Sequence, residues 1–233
     1  MKWIKGVIFD YGGTLDTNGV HWFHIFCQAY AHYLPQITEE QLREVYVYAE
    51  RYLATHRVIE HEDDFLAMLR KKVTIQLSEL KIENEELNDK IASYCDTLVR
   101  NNMDETRKVL DVLSARCPLA LVSNFYGNIH AVLRGYDIGD YFREVIESAV
   151  VGIRKPNPQI FALGLEALGL CPEEVLVVGD SYGKDIVPAH ALGCHTVWLK
   201  GRGWSDTDDS SDGSCADKVI GQLKEVLSLI GVI

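Results

Sequence analysis

Short apolar runs alternate along the chain with segments that have helical periodicity. The apolar runs are the predicted strands, at residues 6–10, 119–124, 145–146, 175–180, 196–199 and 218–220. Nearly continuous apolar strands that alternate with helices are typical of a parallel sheet buried on both faces. The pattern therefore predicts an α/β fold in which a parallel sheet carries helices on both of its faces.

The stretch from residue 17 to residue 100 shows helical periods and no strand pattern. The apolar face of its first helix is formed by Phe23, Phe26, Tyr30 and Leu34. Thr38 and Gln41 have the spacing of a capping box, which predicts the start of a second helix. Two more helices are predicted near residues 62–80 and 83–99. The many aromatic side chains of this stretch are interpreted as its core, so an all-helical subdomain is expected after the first strand.

These patterns divide the chain into two predicted units. The α/β core takes residues 1–16 and 101–233, and the helical insertion takes residues 17–100. Within the core a helix is predicted at residues 157–168, bounded by capping residues at both ends. Residues 201–213 are rich in Gly, Ser and Asp, which predicts a mobile, solvated loop.

Charge and cysteine content exclude several classes of protein. Lys and Arg total 23 and Asp and Glu total 34, a net charge of −11. An acidic chain without a basic block repels phosphate backbones and anionic lipid, so neither nucleic acid nor a membrane is an expected partner. The N-terminus lacks the apolar segment of a signal peptide. The six cysteines lie far apart and are interpreted as free thiols, which favours a cytoplasmic location.

Polar residues that can carry chemistry follow the predicted strands. Asp10 ends the first strand and precedes two glycines, Ser123 ends the second, and Asp180 ends the fourth. Ligands bind at the carboxyl ends of strands in open α/β sheets, so these side chains should lie close together. Asp180 and Asp185 can converge on one cation, and carboxylate oxygens suit Mg²⁺.

In this order, the motifs at residues 9–15, 122–124, 152–158 and 177–185 resemble those of the haloacid dehalogenase (HAD) superfamily of hydrolases, most of which are phosphatases. The resemblance covers residues 5–16 and about 104–221. It implies a Rossmann-like core, and the helical insertion resembles the family's helical cap of the first class.

The resemblance implies roles for individual residues. Asp10 is expected to be the nucleophile that forms an aspartyl-phosphate, and Lys155 to bridge it and the phosphoryl group. Thr14 and Ser123 are expected to bind phosphate oxygens. Asn124 follows the second motif and is expected to shape the substrate side of the pocket. The expected substrate is a small phosphorylated metabolite in the cytosol.

The resemblance also implies a Mg²⁺ site formed by Asp10, Asp180 and Asp185, with the last holding the ion directly or through water. One position departs from the family's phosphatase pattern, because Gly12 stands where those enzymes carry a second Asp. The backbone carbonyl of Gly12 is still expected to contact the metal. The missing carboxyl group removes a general acid–base catalyst, whose contribution is typically ~10²–10⁴-fold.

Three nearby residues are candidates to replace that acid. Asp16 lies in the same predicted loop, and His21 and His24 lie at the start of the first predicted helix. Histidine titrates near neutral pH and can give or take a proton. The competing interpretation is that the histidines belong to a polar stripe of an amphipathic helix that simply faces solvent.

Three alternatives to a phosphatase stay open. Hydrolysis at carbon, as in the family's dehalogenases, also proceeds without the second Asp. The resemblance implies, however, that the active site of those enzymes is metal-free. A phosphonatase-like reaction needs a lysine early in the insertion, and none occurs between Lys5 and Lys71. A binding or regulatory protein on a phosphatase scaffold would explain the missing acid, whereas the otherwise complete set of motifs disfavours it.

Overall fold

The computed structural model describes residues 4–204 and 212–230. The strands of this part of the chain are β1 Gly6–Phe9, β2 Leu119–Ser123, β3 Phe142–Glu147, β4 Val175–Gly179, β5 His195–Leu199 and β6 Lys218–Ile220. They form one parallel sheet in the order β3-β2-β1-β4-β5-β6. Every predicted apolar run contributes a strand, and β3 is longer than predicted. The predicted parallel sheet is confirmed.

The chain between β1 and β2 is helical, as predicted. Its helices are α1 Trp22–Tyr33, α2 Glu39–Thr55, α3 Phe65–Glu79 and α4 Glu85–Ser114. The capping box forms at the start of α2, where Gln41 N–H donates to Thr38 Oγ1 at 3.2 Å and Thr38 N–H donates to Gln41 Oε1 at 2.9 Å. The third helix starts later than predicted, because Asp64 accepts a hydrogen bond from Ala67 N–H and caps it there.

The predicted end of the fourth helix at residue 99 is wrong. Helix α4 has 30 residues and continues to Ser114, so one unbroken helix crosses residue 100. Neither Pro nor Gly interrupts it, and its buried residues keep a helical spacing past that point. The division of the chain at residues 100 and 101 stays a prediction.

The second half of α4 holds the loop that follows β1. Asn102 Nδ2 donates to the carbonyl oxygens of Leu15 and Asp16, both at 3.1 Å. Thr106 Oγ1 donates to the Leu15 carbonyl at 2.8 Å. The helix that leads out of the insertion thereby fixes the loop on which the first motif lies.

Helices cover both faces of the sheet. The remaining α-helices among the described residues are α5 Ile129–Gly135, α6 Ser148–Val151, α7 Gln159–Leu168, α8 Val187–Ala191 and α9 Val226–Leu229. Along β1, Val7 and Phe9 join the apolar cluster that continues into the insertion, whereas Ile8 joins the opposite cluster with Phe161 of α7. This alternation follows from the two-residue period of a strand. Gly169 ends α7 with φ 68°.

The segment predicted as a solvated loop contacts the helical insertion at its start. His21 N–H donates to the Arg202 carbonyl at 2.8 Å, and the Trp204 ring lies 5.6 Å from the Tyr46 ring, centroid to centroid. Gly203 and Trp204 are half-buried, so the prediction is wrong for these two residues, whereas Gly201 and Arg202 are exposed, as predicted for a solvated loop. Residues 205–211 of the same predicted loop lie outside the described residues.

No helix of the described residues is long and apolar enough to cross a membrane. All six cysteines are free thiols, as predicted. Cys95, Cys117 and Cys194 are buried, where a thiol packs as a small apolar group.

Candidate active site

The order of the strands creates a crevice between β1 and β4. The chain adds strands to one side of β1 as far as β3, and to the other side from β4 onward. Such a reversal opens a space at the carboxyl ends of the strands, where α/β proteins bind ligands. Asp10 follows β1 and Asp180 follows β4, so the topology brings these two predicted site residues together.

Lys155 lies among the acidic side chains of this crevice. Its Nζ contacts Asp10 Oδ1 and donates to Asp185 Oδ1 at 2.7 Å and to the Val122 carbonyl at 3.1 Å. Burial alone would lower the pKa of Lys155, but the charges of Asp10 and Asp185 outweigh burial and raise it. The ammonium group is therefore charged at neutral pH and offsets part of the negative charge around it.

Thr14 connects the ends of the two central strands. Its Oγ1 donates to Asp10 Oδ2 at 3.1 Å and accepts a hydrogen bond from Asp180 N–H at 3.0 Å. A hydroxyl group has one proton to donate, so this contact orients the carboxylate of Asp10. The predicted contact of Thr14 with a phosphate oxygen stays a prediction.

The three carboxylates of the crevice are close enough to share one cation. Asp10, Asp180 and Asp185 each offer an oxygen, and these oxygens lie within 4.8 Å of one another. Burial, and then the charges of Asp10 and Asp185, raise the pKa of Asp180 well above its usual range. Burial also raises the pKa of Asp10, while Lys155 opposes that rise. Three carboxylates beside one ammonium leave a negative excess, and an all-oxygen donor set of this kind fits Mg²⁺.

Neighbouring glycines of the first motif differ in what surrounds them. Gly13 has φ 95°, and a Cβ atom there would lie 2.2 Å from Asp180 Oδ2, so only glycine fits. At Gly12 the nearest atom to an added Cβ would be Trp22 Cδ1 at 4.0 Å, and the φ angle is not positive. The backbone therefore does not force glycine at position 12, where the structure has room for a side chain.

The end of β2 contributes two of the predicted residues. Ser123 is buried and lines the crevice. Asn124 also lines it, and its side-chain amide forms hydrogen bonds with the main chain of Lys155. The contacts of Ser123 and Asn124 with a substrate stay predictions.

A cleft of about 790 Å³ opens above these residues. Its floor includes the side chains of Asp10, Lys155 and Asp180. Its other walls include residues to which the sequence gave no role in the site, among them Tyr46, Glu50, Tyr126, Arg154, Lys184 and Trp204. Helical periodicity identifies the buried face of α2, but it does not reveal that part of this face meets the cleft.

Asp16 is buried and does not line the cleft. Its Oδ1 accepts a hydrogen bond from Gly13 N–H and its Oδ2 accepts one from Trp22 Nε1–H, both at 2.7 Å. Burial raises the pKa of Asp16 to about 7, although the bonds from Trp22 and Gly13 act to lower it. With both oxygens occupied, Asp16 fastens the loop after β1 to the start of α1.

The two candidate histidines are placed differently. His21 lines the cleft, and its Nδ1 accepts a hydrogen bond from Phe23 N–H at 3.2 Å, so the proton of the neutral ring lies on Nε2. Burial, followed by repulsion from Lys184, lowers the pKa of His21 to about 4. His24 is buried outside the cleft lining, and its Nε2 pairs with the Gly203 carbonyl at 2.8 Å. The interpretation of a solvent-facing stripe is therefore wrong for His24.

Comparison with known proteins identifies the family to which the chain is similar. The sequence model of a hydrolase family, haloacid dehalogenase-like hydrolase, matches residues 4–193. The glyceraldehyde 3-phosphate phosphatase of Methanopyrus kandleri is 36% identical over 93 residues, which are 40% of this chain and 40% of that protein. The chain thus spans well under half the length of this relative. The phosphoglycolate phosphatase of Photorhabdus laumondii is 31% identical over 170 residues, 72% of this chain and 70% of that protein.

Solved structures share the fold over most of the chain. The HAD-hydrolase YfnB from Bacillus subtilis, solved with magnesium bound, superposes with a TM-score of 0.59 at 16% sequence identity. The superposition covers 97% of this chain and 98% of that one. At this identity the likeness establishes the common fold.

Proposed function

The chain belongs to the haloacid dehalogenase-like hydrolases, and from that premise we propose that it is a Mg²⁺-dependent phosphatase of a small phosphorylated metabolite. The membership confirms the resemblance that the four sequence motifs indicated. The observation that carries the proposal is the position of Asp10, a buried carboxylate held by Lys155 and Thr14 beside two further carboxylates on the floor of a cleft. A carboxylate nucleophile beside a cation site is what phosphoryl transfer through an acyl phosphate requires.

In the proposed reaction an oxygen of Asp10 attacks the phosphorus atom. The bond between phosphorus and the ester oxygen breaks, and the alcohol departs with that electron pair and takes up a proton. Water then attacks the phosphorus of the aspartyl-phosphate, which releases inorganic phosphate and restores the carboxylate. Lys155 contacts Asp10 and reduces the repulsion between the carboxylate and the phosphoryl anion. We assign Ser123, which lines the cleft, to the phosphate oxygens. Thr14 is fully buried outside the cleft lining, and its one hydroxyl proton goes to Asp10, so its role in this reaction is to orient the nucleophile.

The proposed metal ligands are the carboxylates of Asp10, Asp180 and Asp185 and the carbonyl oxygen of Gly12. Bound there, Mg²⁺ supplies positive charge that stabilises the transferring phosphoryl group. Asp185 is held in place on both oxygens, by Lys155 Nζ at 2.7 Å and by Ser181 N–H at 3.1 Å. This fixed orientation supports its assignment to the site.

The proton for the leaving oxygen must come from a group other than residue 12. Of the three candidates, Asp16 and His24 do not line the cleft, whereas His21 does. With its proton on Nε2, His21 can donate a hydrogen bond to the leaving oxygen, although a neutral imidazole is a weak acid. Hydrolysis should therefore depend steeply on the pKa of the leaving alcohol, because full acid catalysis is worth ~10²–10⁴-fold.

The substrate class is supported by two observations. The relatives described above are named for hydrolysis of glyceraldehyde 3-phosphate and of phosphoglycolate, both small phosphate esters. The cleft of about 790 Å³ falls within the ~300–1,000 Å³ that ligand pockets usually occupy. A small phosphorylated metabolite therefore suits the site better than a macromolecule.

Release of phosphate from 4-nitrophenyl phosphate, with and without Mg²⁺, tests the proposal. Turnover should require the metal and should vanish in Asp10→Asn while circular dichroism shows an intact fold. Asp140→Asn is the matched control, since Asp140 is exposed and outside the cleft lining. Turnover that survives in pure Asp10→Asn would contradict the role of Asp10.

Metal-free release of chloride from 2-chloropropanoate would indicate hydrolysis at carbon instead, and the absence of both activities would favour a binding role.

A further inference from the structure

A side cavity of about 130 Å³ opens beside Gly12. It adjoins the main cleft, because the two spaces share six lining residues: Gly12, His21, Tyr46, Glu50, Asn124 and Tyr126. Gly12 lines both spaces, and an added Cβ there would have its nearest atom, Trp22 Cδ1, 4.0 Å away. The side cavity thus borders the loop that carries the proposed nucleophile, Asp10, two positions before Gly12 in the sequence.

The side cavity combines apolar walls with one buried ion pair. Phe65, Met68 and Leu69 of α3 supply apolar surface. Lys72 is only 5% exposed, and its Nζ contacts Glu50 Oε1. Tyr126 O–H donates to the other carboxylate oxygen of Glu50 at 2.6 Å. The polar end of the side cavity is therefore a connected group of two charges and one hydroxyl.

Both members of the ion pair are charged. Burial alone would raise the pKa of Glu50, but Lys72 outweighs burial and lowers it. Burial alone would lower the pKa of Lys72, and the charge of Glu50 raises it instead. A buried ion pair is weak support for stability, because desolvation cancels much of its attraction. Stability therefore does not explain why this pair lies in a space that opens onto the reaction centre.

We infer that the side cavity binds the leaving group of the substrate and that Glu50 and Lys72 select a short, uncharged leaving group carrying a hydroxyl. The inference rests on the proposed function. Asp10 attacks from the sheet side, and in-line displacement sends the leaving group the opposite way, toward the helices of the insertion. Those helices, α2 and α3, carry Glu50 and Lys72.

Size and charge define the group that fits. A cavity of ~150 Å³ takes up benzene, so the side cavity of about 130 Å³ has room for a chain of a few carbons and one polar group. A hydroxyl can donate to the Glu50 carboxylate and accept from Lys72, whose ammonium has three donors. An added carboxylate or ammonium would leave one buried charge without a counter-charge, which is unfavourable.

The first test compares four esters that differ at one end: propyl, 3-hydroxypropyl, 3-carboxypropyl and 3-aminopropyl phosphate. For the wild type we expect kcat/KM to be at least about 10-fold higher for the hydroxyl compound, as one good hydrogen bond to a charged group allows. The double variant Glu50→Gln/Lys72→Met removes both charges together, because removing one would leave an unpaired buried charge. In it the ratio of hydroxypropyl to propyl ester should fall to near one.

A neighbouring ion pair provides the matched control. Lys71 Nζ contacts Asp63 Oδ2 at 2.5 Å, and neither residue lines the side cavity. Asp63→Asn/Lys71→Met should keep the wild-type ratio. Hydrolysis without preference for the hydroxyl compound would overturn the inference and leave the proposed function intact. An equal loss of preference in both double variants would also overturn it.

Binding without turnover separates the inference from the proposed function. Calorimetry with 3-hydroxypropylphosphonate and propylphosphonate, which carry no ester bond to break, should show tighter binding of the hydroxyl compound in the wild type and equal binding in Glu50→Gln/Lys72→Met. That result in a protein without phosphatase activity would support the side cavity as a subsite and reject the proposed function. Equal binding by the wild type would overturn the inference.

Discussion

Asn124 holds the main chain of Lys155 from two directions: its Nδ2 donates to the Lys155 carbonyl at 3.1 Å, and its Oδ1 accepts from Lys155 N–H at 2.9 Å. The two residues are 31 positions apart in the chain. The double contact fixes the point from which the lysine side chain reaches Asp10. Asn124 therefore positions the ammonium group, in addition to lining the cleft.

Asn124→Ala should lower kcat by about 10-fold or more, because two hydrogen bonds of ~1 kcal/mol each are lost and the lysine loses its anchor. KM should change less than kcat, since the phosphate-binding groups remain. The measurement is hydrolysis of 4-nitrophenyl phosphate together with thermal unfolding. Asn101→Ala, at an exposed asparagine of α4, is the control. An unchanged kcat in Asn124→Ala would show that Lys155 needs no such anchor.

Gly12→Asp should raise the hydrolysis of ethyl phosphate by about 10-fold or more, because a carboxyl group there can protonate a poor leaving group. The nearest atom to the added Cβ would be Trp22 Cδ1 at 4.0 Å, so the fold should tolerate the change. Turnover of 4-nitrophenyl phosphate, whose leaving group needs little protonation, should change much less.

Gly13→Asp is the contrasting variant, since φ 95° and the contact of 2.2 Å with Asp180 Oδ2 make a side chain there disruptive. It should lose activity on both esters. If Gly12→Asp folds normally and leaves ethyl phosphate hydrolysis unchanged, another residue already supplies the proton.

The sheet and the floor of the site could be predicted from the sequence because both depend on local patterns. Apolar runs mark strands that are buried on both faces, and a parallel sheet necessarily gathers its carboxyl ends at one edge. Asp10 and Asp180 were therefore expected at the same edge of the sheet, and the pairing of β1 with β4 makes them neighbours there. The start of α2 was equally legible, because a capping box involves only Thr38 and Gln41.

The walls of the cleft depend on tertiary packing, which the sequence pattern does not encode. Tyr46 was interpreted as core, and it is indeed buried, yet it also lines the cleft. His24 has the spacing of a solvent-facing residue, but it is buried and its Nε2 pairs with the Gly203 carbonyl. The fourth helix was predicted to end at residue 99, but helical periodicity continues without a break through residue 100. The sequence has no stop signal at that point.

Asp180→Asn should remove the stabilisation of the protein by Mg²⁺. Burial, and then repulsion from the other two carboxylates, raises the pKa of Asp180. Without metal, the variant should therefore unfold at a higher temperature than the wild type. With Mg²⁺ at 100 times the dissociation constant, the wild type should gain ~2.7 kcal/mol, whereas the variant should gain little. Thermal unfolding with and without Mg²⁺ measures both effects, and Asp140→Asn should behave as the wild type. A variant that keeps the full Mg²⁺ response would exclude Asp180 as a ligand.

His21→Asn separates the two contacts of His21. Asparagine is among the best N-cap residues, so α1 should keep its N-terminal hydrogen bond and the stability at neutral pH should change by only about 0.5 kcal/mol. The shorter side chain removes the Nε2–H group from the cleft. Hydrolysis of alkyl phosphates should then fall by about 10-fold, as expected for a lost hydrogen bond to the leaving oxygen. His32→Asn, at an exposed residue in the last turn of α1, is the control.

The pH dependence of His21→Asn distinguishes a hydrogen-bond donor from a general acid. Burial and then Lys184 lower the pKa of His21 from 6.5 to about 4, so the ring is already neutral between pH 6 and pH 8. The profile of kcat in that range should keep its shape in the variant.

Because the pKa of His21 is lowered on folding, the wild type should lose stability as the pH falls from about 6.5 toward 4, and the variant should lose less. Urea unfolding at pH 7 and pH 4.5 measures this difference. A near-neutral limb of the kcat profile that disappears in His21→Asn would instead identify His21 as an imidazolium acid.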